Sequence, residues 1–220
     1  MPSTLDNWKR IQDKGYFETN ITYQGINKFP EVPEIVSLIK NKVIAEIGCG
    51  YGRETFFMAK HAKKIYAIDV AESVFVLLRK YIGDNVTCVL AEKWKDIIPN
   101  NSLDYARCML VFQHLLPEET NDYIKNMFAK LKSGGMFDAQ FMVGTNFNVN
   151  PNEPDVGLSE QNILTMFKDY NIVNKQLYSG NHRGFAFTHM RIRVSKGTPR
   201  NTRKVFSESP EFLKSFKDVK

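Results

Sequence analysis

Three groups of residues in this chain have the types and spacing for chemistry at one place. The first is AEIGCGYGRE, residues 45 to 54, with Gly48, Gly50 and Gly52 directly after an apolar run. Alternate glycines at a strand's end let backbone approach a ligand with no Cβ in the way. A dinucleotide fingerprint would need a glycine where Arg53 stands. Glu46, two residues before the first glycine, suits a cationic ligand better than a phosphate. The second is Asp69, closing IYAID, where a carboxylate can accept hydrogen bonds from two hydroxyls. The third is His114, just beyond the apolar run 103 to 112, an imidazole of the kind that takes up protons near neutral pH. His182 and Arg183, in SGNHRG, offer a second base and a cation on the same rim.

Short apolar runs alternating with helical periodicity must position these groups. VIAEI (43 to 47), IYAID (65 to 69), VTCVL (86 to 90), the start of LDYARCMLVF (103 to 112) and MFDAQFMV (136 to 143) read as strands. Helices are expected between them, from about Arg53 to His61, over AESVFVLLRKYI, and from Pro117 to a stop at Ser133-Gly134-Gly135. A further helix over about 159 to 170 precedes NIVNKQLY and FAFTHMRIRV, a pair expected to form an antiparallel hairpin. The fold class is therefore α/β, a doubly wound, mostly parallel seven-stranded sheet ending in an antiparallel hairpin. In such a sheet ligands bind at the carboxyl ends of the strands, where the strand order reverses.

The motifs together resemble the class I S-adenosylmethionine-dependent methyltransferases. Glu46-Ile-Gly48-Cys49-Gly50-Tyr-Gly52 is similar to that family's first motif, with Arg53 next. Asp69 stands where the family's acid accepts from both ribose hydroxyls, and Val70 where an apolar side chain packs on adenine. SLDYARCMLVFQHL (102 to 115) resembles the fourth-strand segment, and LKSGG (131 to 135) the turn before the fifth. The resemblance implies S-adenosyl-L-methionine as cofactor, held by these residues with Ala91, Glu92 and Cys108. One departure stands out: the family's acid-alanine pair after the third strand is Leu90-Ala91 here, with Glu92 following.

The acceptor side is expected from the loops on the same edge and from the segment ahead of the first strand. Trp8, Tyr16 and Tyr23 fit a lid that excludes water, and Gln113, Asn146 and Arg183 are candidate substrate contacts. Residues 1 to 33 are read as this lid, 34 to 196 as the cofactor-binding domain and 197 to 220 as a basic tail. The reading is methyl transfer to a hydroxyl or amine of a small molecule, such as a sugar or other hydroxylated metabolite, with His114 as the base. An RNA or protein acceptor is the alternative, and a non-catalytic cofactor-binding subunit the third reading.

Composition fits these readings. The chain has 220 residues, 43% hydrophobic and 25% charged, with net charge +6. Its basic residues are interleaved with acids except in RIRVSKGTPRNTRK (191 to 204), so a nucleic-acid partner is not favoured. No run is long enough for a membrane span and no leader is evident. Three cysteines without a CxxC pair argue for a reducing, cytoplasmic setting and against a metal site.

Overall fold

The computed structural model describes residues 4–14, 33–144, 156–182 and 185–197. The parallel part of the sheet is β1 (Val43–Ile47), β2 (Lys64–Asp69), β3 (Val86–Leu90), β4 (Leu103–Cys108) and β5 (Leu131–Val143). The long strands β6 (Asn171–His182) and β7 (Phe185–Ser195) follow as the expected hairpin. The order is β3-β2-β1-β4-β5-β7-β6, with β7 antiparallel to both neighbours. The order reverses between β1 and β4, so a crevice at the carboxyl ends of these two strands is the place for a ligand.

The helices are α1 (Thr4–Asp13), α2 (Pro33–Ile39), α3 (Arg53–Ala59), α4 (Glu72–Leu78), α5 (Trp94–Ile97), α6 (Pro117–Lys130) and α7 (Glu160–Met166). α6 forms where its sequence asks: Pro117 occupies the first turn, and Glu119 accepts the Leu116 N–H at 2.9 Å. Its apolar stripe of Tyr123, Ile124, Met127 and Phe128 is buried. Together with Phe112, Phe137, Phe141 and Phe167 it builds the main core on one face of the sheet. Each such phenylalanine contributes about 1.5–3 kcal/mol through its buried area. On the other face, Ile35 and Ile39 of α2 pack with Ile44, Phe57 and Met58.

Several boundaries differ from the sequence expectation. α3 and α7 are shorter than the spans 53 to 61 and 159 to 170. Ser133-Gly134-Gly135 does not end α6: the helix stops at Lys130, and the glycines lie inside β5. Gly134, at φ 76°, bends that strand and donates its N–H to Lys196 O, and regular pairing with β4 starts at Met136. The hairpin link is shorter than SGNHRG, because pairing continues to His182↔Phe185.

Candidate active site at the carboxyl edge of β1 and β4

The glycine turn is built by left-handed backbone. Gly48, Gly50 and Gly52 have φ of 70°, 51° and 92°, a region that side chains disfavour. Space forbids a side chain as well: a Cβ on Gly48 would lie 2.1 Å from Val111 Cγ2, and one on Gly52 2.0 Å from Leu78 Cδ1. The N–H groups of Gly48 and Cys49 both donate to Ile68 O, at 2.8 and 3.0 Å, which ties the turn to β2. Arg53 opens α3 and is half-buried.

Asp69 ends β2 with its carboxylate against this turn. Oδ2 accepts the Gly50 N–H at 2.8 Å and Oδ1 the Val70 N–H at 2.7 Å. The side chain of Gln12, reaching in from α1, also donates to it. Burial pushes this carboxyl up and these hydrogen bonds pull it back, with a net rise. Val70 is half-buried beside it, Ala91 donates its N–H to Asp69 O at 2.7 Å, and Glu92 is exposed. Gln12 is a residue that sequence reasoning missed, since one amide on an amphipathic helix carries no motif.

β4 ends in a strained loop. Leu110 sits at φ 59° and is 39% exposed, a conformation that costs a non-glycine residue about 1 kcal/mol or more. A single 3-10 turn follows, Phe112–His114. Gln113 Nε2 lies 3.3 Å from His114 Nε2, and Gln113 Oε1 lies 3.1 Å from His189 Nε2 on β7. With the amide so placed, Gln113 donates to His114 and accepts from His189. The Trp8 ring of α1 lies against His114, tilted by 50° with centroids 4.3 Å apart. Trp8, Gln113 and His114 are thus brought together, and His189 of β7 joins them.

Cys108 is buried in the main aromatic core, so any ligand contact must come from its backbone. Burial pushes the thiols of Cys49 and Cys108 well up, which keeps them from acting as thiolates. His182 closes β6. Tyr16, Tyr23, Asn146 and Arg183 lie outside the described residues, as does the tail beyond residue 197. No group of metal-binding side chains occurs among the described residues, and none of their helices is long and apolar enough to cross a membrane.

Beneath the turn, one row of the sheet is polar across five strands: Glu46, Arg107, Asp138, Arg193 and Asn174 pair in sequence. Asp138 accepts from Tyr105 Oη at 2.7 Å, from Arg191 Nη2 at 2.8 Å, and twice from Arg193, at 2.7 and 2.8 Å. Arg107 pairs with Glu54 of α3, Arg193 with Glu34 of α2, and Thr55 donates to Glu46. Burial first, then the neighbouring Glu54, pushes the Glu46 carboxyl up to about 8. The native state therefore holds this proton after the unfolded chain loses it near 4.5, and stability falls as pH rises from there through about 8. Glu46→Gln should remove that fall and make the variant more stable at pH 9 by a few kcal/mol. Denaturant midpoints from pH 5 to 9 check this; parallel curves would refute the buried proton.

The fold, the glycine turn and the acid ending β2 define a doubly wound α/β domain with a ligand crevice at the carboxyl edge of β1 and β4. Residues 44–135 match the family model of a methyltransferase domain. The solved structure of an S-adenosylmethionine-dependent methyltransferase from Methanosarcina mazei superposes with TM-score 0.63 over 77% of this chain and 99% of that one, at 16% identity. The tRNA N(3)-methylcytidine methyltransferase trm140 of Schizosaccharomyces pombe is 28% identical over 121 residues, 48% of this chain and 39% of its own length. Phosphoethanolamine N-methyltransferase 1 of Zea mays is 30% identical over 112 residues, 48% of this chain and 22% of its own. The chain thus spans well under half the length of these two relatives. Over residues 44–135 the chain is thus similar to a methyltransferase domain, and its fold is that of the Methanosarcina mazei structure.

Proposed function

We propose that this chain transfers the methyl of S-adenosyl-L-methionine to a hydroxyl or amine of a small molecule. The observation that carries the reading is the Gly50 N–H on Asp69, which holds a carboxylate against a turn where a Cβ has no room. The site fits the cofactor: Gly48 to Gly52, with Glu46, Cys49 and Arg53, border its methionine end, Asp69 takes the ribose hydroxyls, and Val70 lies along the adenine. Ala91 and Glu92 reach the adenine rim, and Cys108 contributes backbone. When bound, the cofactor supplies an electrophilic methyl. The protein's part is to align the acceptor, exclude water and hold the acceptor's proton. His114 takes that last role, with His182 as a second candidate, while Trp8 covers the edge and Gln113 orients the imidazole. Tyr16, Tyr23, Asn146 and Arg183 remain acceptor candidates on their sequence positions.

An RNA acceptor has the name of the yeast relative in its favour. Against it, two cations of the acid-free stretch, Arg191 and Arg193, are buried on Asp138 and cannot meet phosphates. Strong salt-sensitive retention on RNA would revive it.

Calorimetric titration with S-adenosylhomocysteine, against NAD as control, tests the cofactor site. Micromolar binding of the first alone is expected, and binding of NAD instead would overturn the reading. Asp69→Ala should weaken that affinity by about 1.5–3 kcal/mol. An unchanged affinity in a folded variant would remove Asp69 from the ribose site.

A further inference from the structure

Above the charged row, the β5–β7–β6 face stays polar toward the carboxyl edge. Gln140 pairs with Arg191 and Arg191 with Gln176; in the next row Met142 pairs with His189 and His189 with Tyr178. The opposite face of the same strands is apolar, with Phe137, Ala139, Phe141, Met190, Ile192 and Val194 in the core. A largely polar patch on a sheet face gives up hydrophobic stabilisation, so these residues call for another reason.

Gln140 supplies one. It is 2% exposed, and its Nε2 has no hydrogen-bond partner. A buried amide N–H group left without an acceptor is destabilising, and native proteins rarely keep one for nothing. Its place is informative too. The last residue of β4, Cys108, pairs with Ala139, so Gln140 stands one residue beyond the end of β4, at the level of the crevice. A single chain of hydrogen bonds, His189 to Gln113 to His114, joins this wall to the candidate base.

We propose that Gln140 is a donor in the acceptor subsite, and that the subsite takes a neutral, hydroxyl-rich molecule of sugar or polyol type. The proposal rests on the methyl-transfer reading above and narrows its substrate. The wall is balanced in charge: Glu34, Glu54 and Asp138 stand against Arg107, Arg191 and Arg193. A phosphate or a quaternary amine would find no surplus of opposite sign there, whereas amide groups pair well with hydroxyls. The rings of Tyr178 and Phe187, 5.5 and 4.7 Å from His189, add the flat apolar surface against which sugar carbons pack. The small cavity between Asp138, Asn174, Gln176, Arg191 and Arg193, about 10 Å³, holds about one water and no more.

Gln140→Leu, with Gln140→Met as a second apolar replacement, tests this. Both remove an unpaired buried donor, so at least one should raise the thermal midpoint by roughly 2–6 °C. Affinity for S-adenosylhomocysteine should not change. Methyl transfer from labelled cofactor to glucose, mannose, myo-inositol or glycerol should fall tenfold or more through KM, with phosphoethanolamine as the charged comparator. A lower midpoint in both variants would mean that the amide has a structural role, and would overturn the proposal. So would transfer to phosphoethanolamine that the variants leave intact, or transfer to none of the neutral panel while S-adenosylhomocysteine binds. If S-adenosylhomocysteine itself fails to bind, the methyl-transfer reading falls instead, and the midpoint still decides whether Gln140 is an idle donor.

Discussion

His114→Ala is expected to lower turnover by about 10²–10⁴-fold while leaving S-adenosylhomocysteine affinity unchanged. The imidazole sits where β4 gives way to the 3-10 turn, on the edge that carries the glycine turn. Its Nε2 faces the Gln113 amide and its ring faces Trp8. Because Gln113 donates, the neutral ring carries its hydrogen on Nδ1, and Nε2 offers the lone pair. To accept a proton there, the ring must exchange the Gln113 N–H for the acceptor's O–H or N–H. A purely structural histidine would behave differently: its loss would disturb the Trp8 contact and with it cofactor affinity or stability, not the chemical step. Single-turnover rates with labelled cofactor, beside calorimetry on the same preparation, separate the two. A variant of normal rate would return His114 to packing.

The second large effect is on stability. Asp138→Ala should destabilise the fold by about 3–5 kcal/mol, because it removes the buried carboxylate that Arg191 and Arg193 share. Asp138 is fully buried, and its carboxyl is held well below the usual range by these two guanidiniums, by hydrogen bonds from Arg193, and by Arg107, against the cost of burial. The stabilisation is present above the unfolded value near 3.8 and is lost only in strong acid. A total stability of about 5–15 kcal/mol leaves little margin for such a loss. Urea unfolding at pH 7 measures it, and a loss under 1 kcal/mol would mean that water replaces the carboxylate at little cost. Exchange of Asp138, Arg191 and Arg193 together with Glu34 for apolar residues of similar volume is the milder change, since these paired charges leave together.

Much of the fold was legible because local signals and the global fold agree. The apolar runs that become β1 to β5 have no competing reading, and Pro117 starts α6 where its chemistry suits. The Ser133-Gly134-Gly135 stop misled because a glycine that bends a strand and one that caps a helix look alike in sequence. The glycine turn and Asp69 were readable from spacing, since only glycine fits those dihedral angles. Gln12, Gln140 and His189 were not. Their roles depend on cross-strand neighbours and on a helix docked from far along the chain, and no local pattern encodes either. Arg191 and Arg193 were legible as strand residues in an acid-free stretch, but not as the partners of an acid over fifty positions away.

The docking of α1 on Asp69 has a thermodynamic consequence. A carboxylate offers about four acceptor sites, and Gly50, Val70 and Gln12 already use three of them. The first two donors are backbone groups fixed in place, so if both ribose hydroxyls bond to Asp69, one takes the place of Gln12. Helix and nucleoside then compete for one anion. The measured affinity of any ribose-bearing ligand is its intrinsic affinity scaled by the fraction of molecules in which Gln12 has let go. By linkage, a bound nucleoside loosens the helix by the same factor.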